Sequence, residues 1–306
     1  MIILILVAFC AISLVRSKYG LESSEYEITS AKPAETDAAS TTPADTDDIR
    51  IVELVDLHNA VLGEDNSRLV EMVKSQKPDL ILMVGDMVQQ DEADLSVVTG
   101  LIRTLSEIAP VYFSLGNHEI SYMENFPEND LISAVEGAGA IVLDREYKDI
   151  TVKGTEIRIG GIFGYCLPAT EALRKDFRDQ PNRLEEMDWL LEYQDTDRLK
   201  LLMCHMPVCW IQNGSLEYYD TDVVFAGHAH GGQVRLPFVG GLHAPDQGWF
   251  IGDAEGLYTD DGAESVVKPG ESVLVLSRGL GSEMKIPRFC NPPQVVTLII
   301  HAEKVL

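Results

Sequence analysis

The chain has 306 residues, 45% of them hydrophobic and 24% charged, proportions that allow a sizeable core. The length suits one catalytic domain with additions. The formal net charge is −25, which opposes a phosphate backbone at long range, so no nucleic-acid partner is expected. A small phosphorylated substrate is not excluded, because divalent ions at a site reverse the local field.

Residues 1–15, MIILILVAFCAISLV, carry no charge, and Arg16 and Lys18 follow. The run is shorter than the roughly 20 apolar residues of a typical span, and it lacks the basic start and small-residue cleavage site of a signal peptide. Three readings are open: an uncleaved single-pass membrane anchor, which is favoured; a cleaved signal peptide, which would export the domain; and a buried helix. The basic residues after the run lean toward that side being cytoplasmic, without deciding the face.

In Tyr26–Thr29, apolar and polar residues alternate as in a short strand. Residues 31–48, AKPAETDAASTTPADTDD, have no apolar periodicity and read as a solvated acidic linker. The expected organisation is an anchor or signal segment at 1–18, a linker at 19–49 and a catalytic domain at 50–306. The five cysteines, Cys10, Cys166, Cys204, Cys209 and Cys290, contain no CxxC pair, so reduced thiols are expected rather than a structural zinc site. A Cys204–Cys209 disulfide has no support in the spacing.

From residue 50 the pattern alternates. Arg50–Val55 is a β-prone run, residues 64–77 read as an amphipathic helix, and Asp79–Val84 is an apolar run of strand length. Residues 94–108 read as a second helix and Val111–Leu115 as a strand. This succession is the mark of βαβ units. Further strands are expected at Ala140–Leu143, Ile150–Val152, Ile157–Ile162, Lys200–Cys204, Val223–Ala226, Gln233–Leu236, Ser272–Leu276 and Val295–Ile300, with a helix over 182–193. Two mixed sheets packed face to face with helices outside, a four-layer α-β-β-α sandwich of the α/β class, absorb this many strands.

Five polar blocks fall at predicted strand ends, where α/β folds place their sites. They are Asp56-Leu57-His58, Gly85-Asp86, Gly116-Asn117-His118-Glu119, His205, and Gly227-His228-Ala229-His230. The pairs in DxH and HxH are two residues apart, a spacing that sends both side chains to one side of an extended chain. Carboxylate, imidazole and amide oxygen together suit two divalent ions such as Mn, Fe or Zn. One aspartate can bridge such ions at a separation of roughly 3.5–4 Å. Five of the seven histidines lie in these blocks, while His243 and His301 stand apart and read as surface or packing residues.

The ordered series D-x-H, G-D, G-N-H-E, H, G-H-x-H resembles the calcineurin-like metallophosphoesterase superfamily over residues 50 to about 235. The segment GHAHGGQVRLPFVGGL, followed by Ser277-Arg278-Gly279-Leu280-Gly281, is similar to its membrane-linked bacterial branch, which includes phosphodiesterases acting on UDP-2,3-diacylglucosamine. The resemblance implies one ion held by Asp56, His58, Asp86 and His230, and a second held by Asp86, Asn117, His205 and His228. It implies hydrolysis of a phosphoester by a metal-bridging hydroxide, with Asn117 and the ions neutralising phosphoryl charge and His118 assisting the leaving oxygen. A phosphodiester or pyrophosphate is favoured, lipid-linked if the N-terminal segment anchors the chain. A phosphomonoesterase and a non-catalytic, metal-stabilised binding module are the alternatives. Arg278 is a candidate for binding substrate phosphate or for a structural ion pair. One departure is Val55, where the family often has serine before the first aspartate; no ligand position is lost.

Overall fold

The computed structural model describes residues 1–30, 48–164, 166–252, 254–264, 267–268, 270–282 and 286–302. Most of the expected acidic linker, residues 31–47, lies outside the described residues.

Helix α1 (Ile2–Tyr19) leads into strand β1 (Glu22–Ser30). The βαβ run follows as β2 (Ile49–Leu54), α2 (Ser67–Ser75), β3 (Leu80–Val84), α3 (Ser96–Ser106), β4 (Val111–Ser114), α4 (Asn117–Asn125), α5 (Leu131–Ala138) and β5 (Ala140–Leu143). Next come β6 (Glu146–Val152), β7 (Thr155–Ile162), α6 (Glu171–Asp176), α7 (Pro181–Tyr193), β8 (Leu199–Cys204), α8 (Val208–Gln212), α9 (Ser215–Tyr218) and β9 (Val223–Ala226). The chain continues through β10 (Arg235–Leu236), β11 (Gly240–Ala244), β12 (Gly248–Gly252), β13 (Gly256–Thr259), β14 (Gly262–Glu264), β15 (Val273–Leu276) and β16 (Gln294–Ala302).

Two large mixed sheets result. The first has the order β1-β16-β2-β3-β4-β5 and the second β14-β13-β15-β9-β8-β7-β6. Strands β2 to β5 run parallel, as helical crossovers require, while β16 enters antiparallel to β2 and parallel to β1. Buried strands present alternate residues to opposite faces, and β3 shows the consequence. Leu80, Leu82 and Val84 point between the sheets, where they meet Ile159, Leu201, Met203 and Phe225 of the second sheet. Ile81 and Met83 point outward, into a core shared with Leu69 of α2, Leu101 and Ile102 of α3 and Val135 of α5. The outer face of the second sheet is covered by α7 to α9 through Leu190, Tyr193, Trp210 and Leu216. The fold is thus mixed α/β, with two sheets inside and helices outside.

The N-terminal segment requires a correction. No helix among the described residues is long and apolar enough to cross a membrane, which overturns the expected transmembrane helix and single-pass anchor. Helix α1 has 18 residues, about 27 Å at 1.5 Å per residue, against a hydrocarbon core of about 30 Å. Arg16 and Lys18 occupy its last turn. Its Ser13 and Ser17 are buried against the domain: Cys290 Sγ donates to Ser13 Oγ (3.3 Å), the Asn291 amide donates to Ser17 Oγ (2.9 Å), and Phe9 meets Phe289 edge-on. Cys204 neighbours Cys166, with sulfurs 3.4 Å apart, and both are free thiols.

Candidate metal centre

The C-terminal ends of β2, β3 and β4 in one sheet, and of β8 and β9 in the other, open onto a common edge of the sandwich. Each carries one of the five blocks just past its last residue. The blocks are tied to one another by backbone. The Asp56 amide donates to the Gly85 carbonyl (3.1 Å), the His58 amide to the Asp86 carbonyl (3.0 Å) and the Gly227 amide to the His205 carbonyl (3.1 Å). Asp56, His58, Asp86, His228 and His230 all have left-handed backbone, with φ between 47° and 65°. Asp and His tolerate that region better than bulkier residues, and strained backbone of this kind gathers at functional sites. Gly116 must lack a side chain, because a Cβ there would collide with the Asp86 carboxylate.

Among the described residues three buried groups of donor atoms form, of which two share no member. The ligand-type atoms of Asp56, His58 and His230 lie within 4.8 Å of one another, as do those of Asp86, His205 and His228. Asp86 Oδ2 stands 3.1 Å from His205 Nε2 and 3.9 Å from His58 Nε2, which places this carboxylate between the clusters. Asn117 begins α4, and its Oδ1 is buried without a hydrogen-bond partner, as is His58 Nε2. An unsatisfied buried polar atom costs about 1–3 kcal/mol. A divalent cation between such atoms would remove that penalty. The donor set of carboxylate, imidazole and amide oxygen therefore fits a pair of divalent ions, and it accepts several transition metals.

The electrostatics of His58, His228 and His230 agree with that fit. Burial lowers His58 to about 3 and His228 to about 4 and pushes His230 well down, so these rings are neutral and keep the lone pair that a metal needs. Burial also raises the Asp56 carboxyl to about 7, although His205 opposes the shift. His205 differs from the other histidines. Burial works against its charged form, but the Asp86 and Asp56 carboxylates raise it to about 10. Its Nδ1 lies 2.9 Å from the Val84 carbonyl, which accepts from it and leaves Nε2 facing Asp86.

His118 is buried, and its ring meets that of His58 edge-on at 4.4 Å between centroids. Its backbone amide donates to Asp86 Oδ1 (2.8 Å), and its Nδ1 accepts from the Gln90 amide (3.3 Å). A neutral ring that accepts at Nδ1 carries its proton on Nε2. Atoms of His118 also come within 4.8 Å of those of His58 and Asp86. Arg278, the expected phosphate or ion-pair arginine, is 8% exposed and pairs with Glu22 and Glu255, each at 3.1 Å. His243 contacts Trp249, and His301 pairs with Asp48 and Glu27, both outside the clusters.

Three further residues shape the site: Glu119, which stands in the GNHE block of the sequence, and two that sequence reasoning missed. Glu119 is fully buried, and its carboxylate accepts from the amides of Gly116, Asp86 and Met87 at 2.7 Å and of Val88 at 3.1 Å. It staples the Gly85-Asp86 turn to the start of α4. Glu119→Ala strands these donors, so the metal-free protein is expected to lose about 3 kcal/mol or more in urea unfolding; an unchanged midpoint would remove Glu119 from this role. Arg288 is buried beside His230, with Nη2 3.5 Å from His230 Nδ1, and donates to the carbonyls of Arg278 (2.7 Å) and Gly281 (3.0 Å from Nε). Burial lowers it to about 10. The third is Asp246, whose Oδ2 lies 3.1 Å from His228 Nε2. Only Glu119 gave any signal in the sequence, through its place in the GNHE block.

Residues 49–232 match the model of the calcineurin-like phosphoesterase family. Among curated proteins, the chain is 24% identical to the uncharacterized metallophosphoesterase YkuE of Bacillus subtilis, over 86% of this chain and 83% of that protein. It is 25% identical to the phosphodiesterase YaeI of Escherichia coli, over 79% of each. It is also 25% identical to the uncharacterized protein YpbG of Bacillus subtilis, over 61% of this chain, and spans 63% of that protein's length. A solved dimetal phosphatase from Danio rerio superposes with a TM-score of 0.42 at 11% identity, over 76% of this chain and 87% of that one, too distant a likeness to inform the site.

Proposed function

The chain belongs to the calcineurin-like phosphoesterase family, and from that premise we propose that it hydrolyses a phosphodiester or pyrophosphate at a dinuclear metal centre. The observation that carries the reading is the pair of buried clusters placed side by side with Asp86 between them. Asp56, His58, Asp86 and His230 would hold one ion, and Asp86, Asn117, His205 and His228 the other. Bound there, two divalent ions would supply Lewis acidity that lowers the pKa of water and neutralises charge on the phosphoryl oxygens. Which of the transition metals serves is set by availability as much as by these ligands.

The protein's own groups do the rest. Glu119 fixes the Asp86 turn against α4, so the Asp86 carboxylate and the His118 ring keep a constant relation. The Gln90 amide donates to His118 Nδ1 and leaves Nε2–H as a hydrogen-bond donor for the leaving oxygen, while full proton transfer to a departing alkoxide requires the imidazolium, with Nδ1 released from that amide and protonated. Residues 50–306 carry this chemistry in our assignment, and β1, from the segment 19–49, adds an edge strand to their first sheet.

A cavity of about 620 Å³ flanks the centre beside Arg288, and Leu14, Tyr19, Val61, Leu62 and Leu280 give it an apolar lining. It offers room for an apolar group attached to the phosphoester, which supports a lipid-linked substrate; UDP-2,3-diacylglucosamine combines a pyrophosphate with such chains and is the specific candidate to assay. The primary test uses the full chain with Mn²⁺, on bis-p-nitrophenyl phosphate and on p-nitrophenyl phosphate. Faster turnover of the diester is expected. Preference for the monoester would make the protein a phosphomonoesterase, and no metal-dependent hydrolysis of either would leave a metal-stabilised binding module.

A further inference from the structure

We infer that Asp246 is a positioning residue for the metal centre, which orients His228 from a β-hairpin that none of the five ligand blocks contains. The inference rests on the dinuclear reading and adds a residue to it. Strands β11 and β12 form a hairpin whose tip, Pro245-Asp246-Gln247, holds Asp246 in left-handed backbone with φ of 60°. Asp246 Oδ2 lies 3.1 Å from His228 Nε2. A carboxylate only accepts, so His228 donates through Nε2–H, and a neutral imidazole with its proton there has its lone pair on Nδ1. His228 would thereby offer Nδ1 to an ion held together with Asp86 and His205. A carboxylate behind a ligating histidine fixes the ring's tautomer and orientation and raises its basicity.

The hairpin is built to deliver that carboxylate. Gly231-Gly232 follow the HxH block, and Gly232 forms the surface on which β11 rests, since a Cβ there would collide with the Gly241 backbone. The Leu242 amide donates to the Val234 carbonyl (2.9 Å), and Arg235 pairs with Glu255 (2.8 Å) at the other end of the small β10-β11-β12 sheet. His228 is held from two sides. Its backbone amide donates to the Asp56 carboxylate (3.1 Å), and its ring meets Asp246. Gly232 is thus a packing surface for the hairpin, and the hairpin completes the histidine's surroundings.

The test is metal binding, which does not depend on turnover. The full chain is stripped with a chelator and titrated with Mn²⁺ by isothermal calorimetry, alongside Asp246→Ala and Asp246→Asn. Wild type is expected to take up two ions. Asp246→Ala should bind one of them roughly 10–100-fold more weakly and leave the other unchanged. Asp246→Asn, which keeps an oxygen acceptor, should recover most of the loss. The side chain of Asp246 is 38% exposed, so the fold is expected to survive, and equal unfolding midpoints of the stripped proteins check this. Two ions bound to Asp246→Ala with wild-type affinities would overturn the proposal and leave the dinuclear reading standing. Wild type that takes up fewer than two ions would overturn the dinuclear reading itself, and the positioning of a ligand for the second ion with it.

Discussion

Asp86→Asn is expected to strip the protein of its paired ions and to lower kcat/KM by roughly 10³-fold or more. Asp86 is 1% exposed and stands between the two histidine clusters, with Oδ2 3.1 Å from His205 Nε2 and 3.9 Å from His58 Nε2. Its Oδ1 accepts the His118 amide. The amide side chain nearly preserves volume but removes the negative charge and replaces one acceptor with a donor. Neither ion then has a shared anionic ligand. Lewis-acid stabilisation of the transition state is worth several kcal/mol, and each 1.36 kcal/mol is tenfold in rate, which sets the expected loss. Metal content after dialysis should fall from about two ions per chain. Two retained ions and unchanged kinetics would show that Asp86 does not bridge.

His118→Asn is expected to behave differently. Both ions should stay bound, while kcat falls by about 10²–10⁴-fold, the usual contribution of a general acid. The reason is geometric: the His118 backbone remains at the start of α4 to donate to Asp86, and only the ring is lost. The loss should grow with the basicity of the leaving group. An alkyl phosphodiester needs its departing oxygen protonated, whereas p-nitrophenolate leaves readily without that help. The measurement is therefore the ratio of wild-type to variant kcat on both substrates, with metal content alongside. An equal loss on both would assign His118 to charge stabilisation, and full activity on both would remove it from the mechanism.

Much of the architecture was legible because it depends on local pattern. The apolar runs at β3, β8 and β9 are short, flanked by polar residues and buried on both faces, which is what a central strand requires. The ligand blocks were legible because each sits where its strand ends. Helix α4 was not anticipated, since Gly116-Asn117-His118 reads as a strand-terminating turn and the helix starts within it. Helix α1 was read as an anchor from its apolar composition, whereas no helix among the described residues is long and apolar enough to cross a membrane. Ser13 and Ser17 look incidental in sequence, yet they bond to residues more than 270 positions away. Arg288 and Asp246 were missed for the same reason. Neither lies in a ligand block, and each reaches the centre through a segment whose course depends on tertiary contacts.

Strand β16 also governs the order in which the molecule can assemble. Among the described residues, β1 pairs in the first sheet with β16 and with no other strand, and β16 alone joins it to β2. A nascent chain therefore emerges with its N-terminal strand unable to dock until residues 294–302 have been made. The ligand-bearing stretch, by contrast, is complete by residue 230, and its parallel units form between near neighbours in sequence. Closing the β1–β16 register, Glu22 with Gln294 through Ser30 with Ala302, spans most of the chain and is the kind of distant pairing that slows folding. During that interval the edge of β2 is exposed and open to strand exchange with another chain.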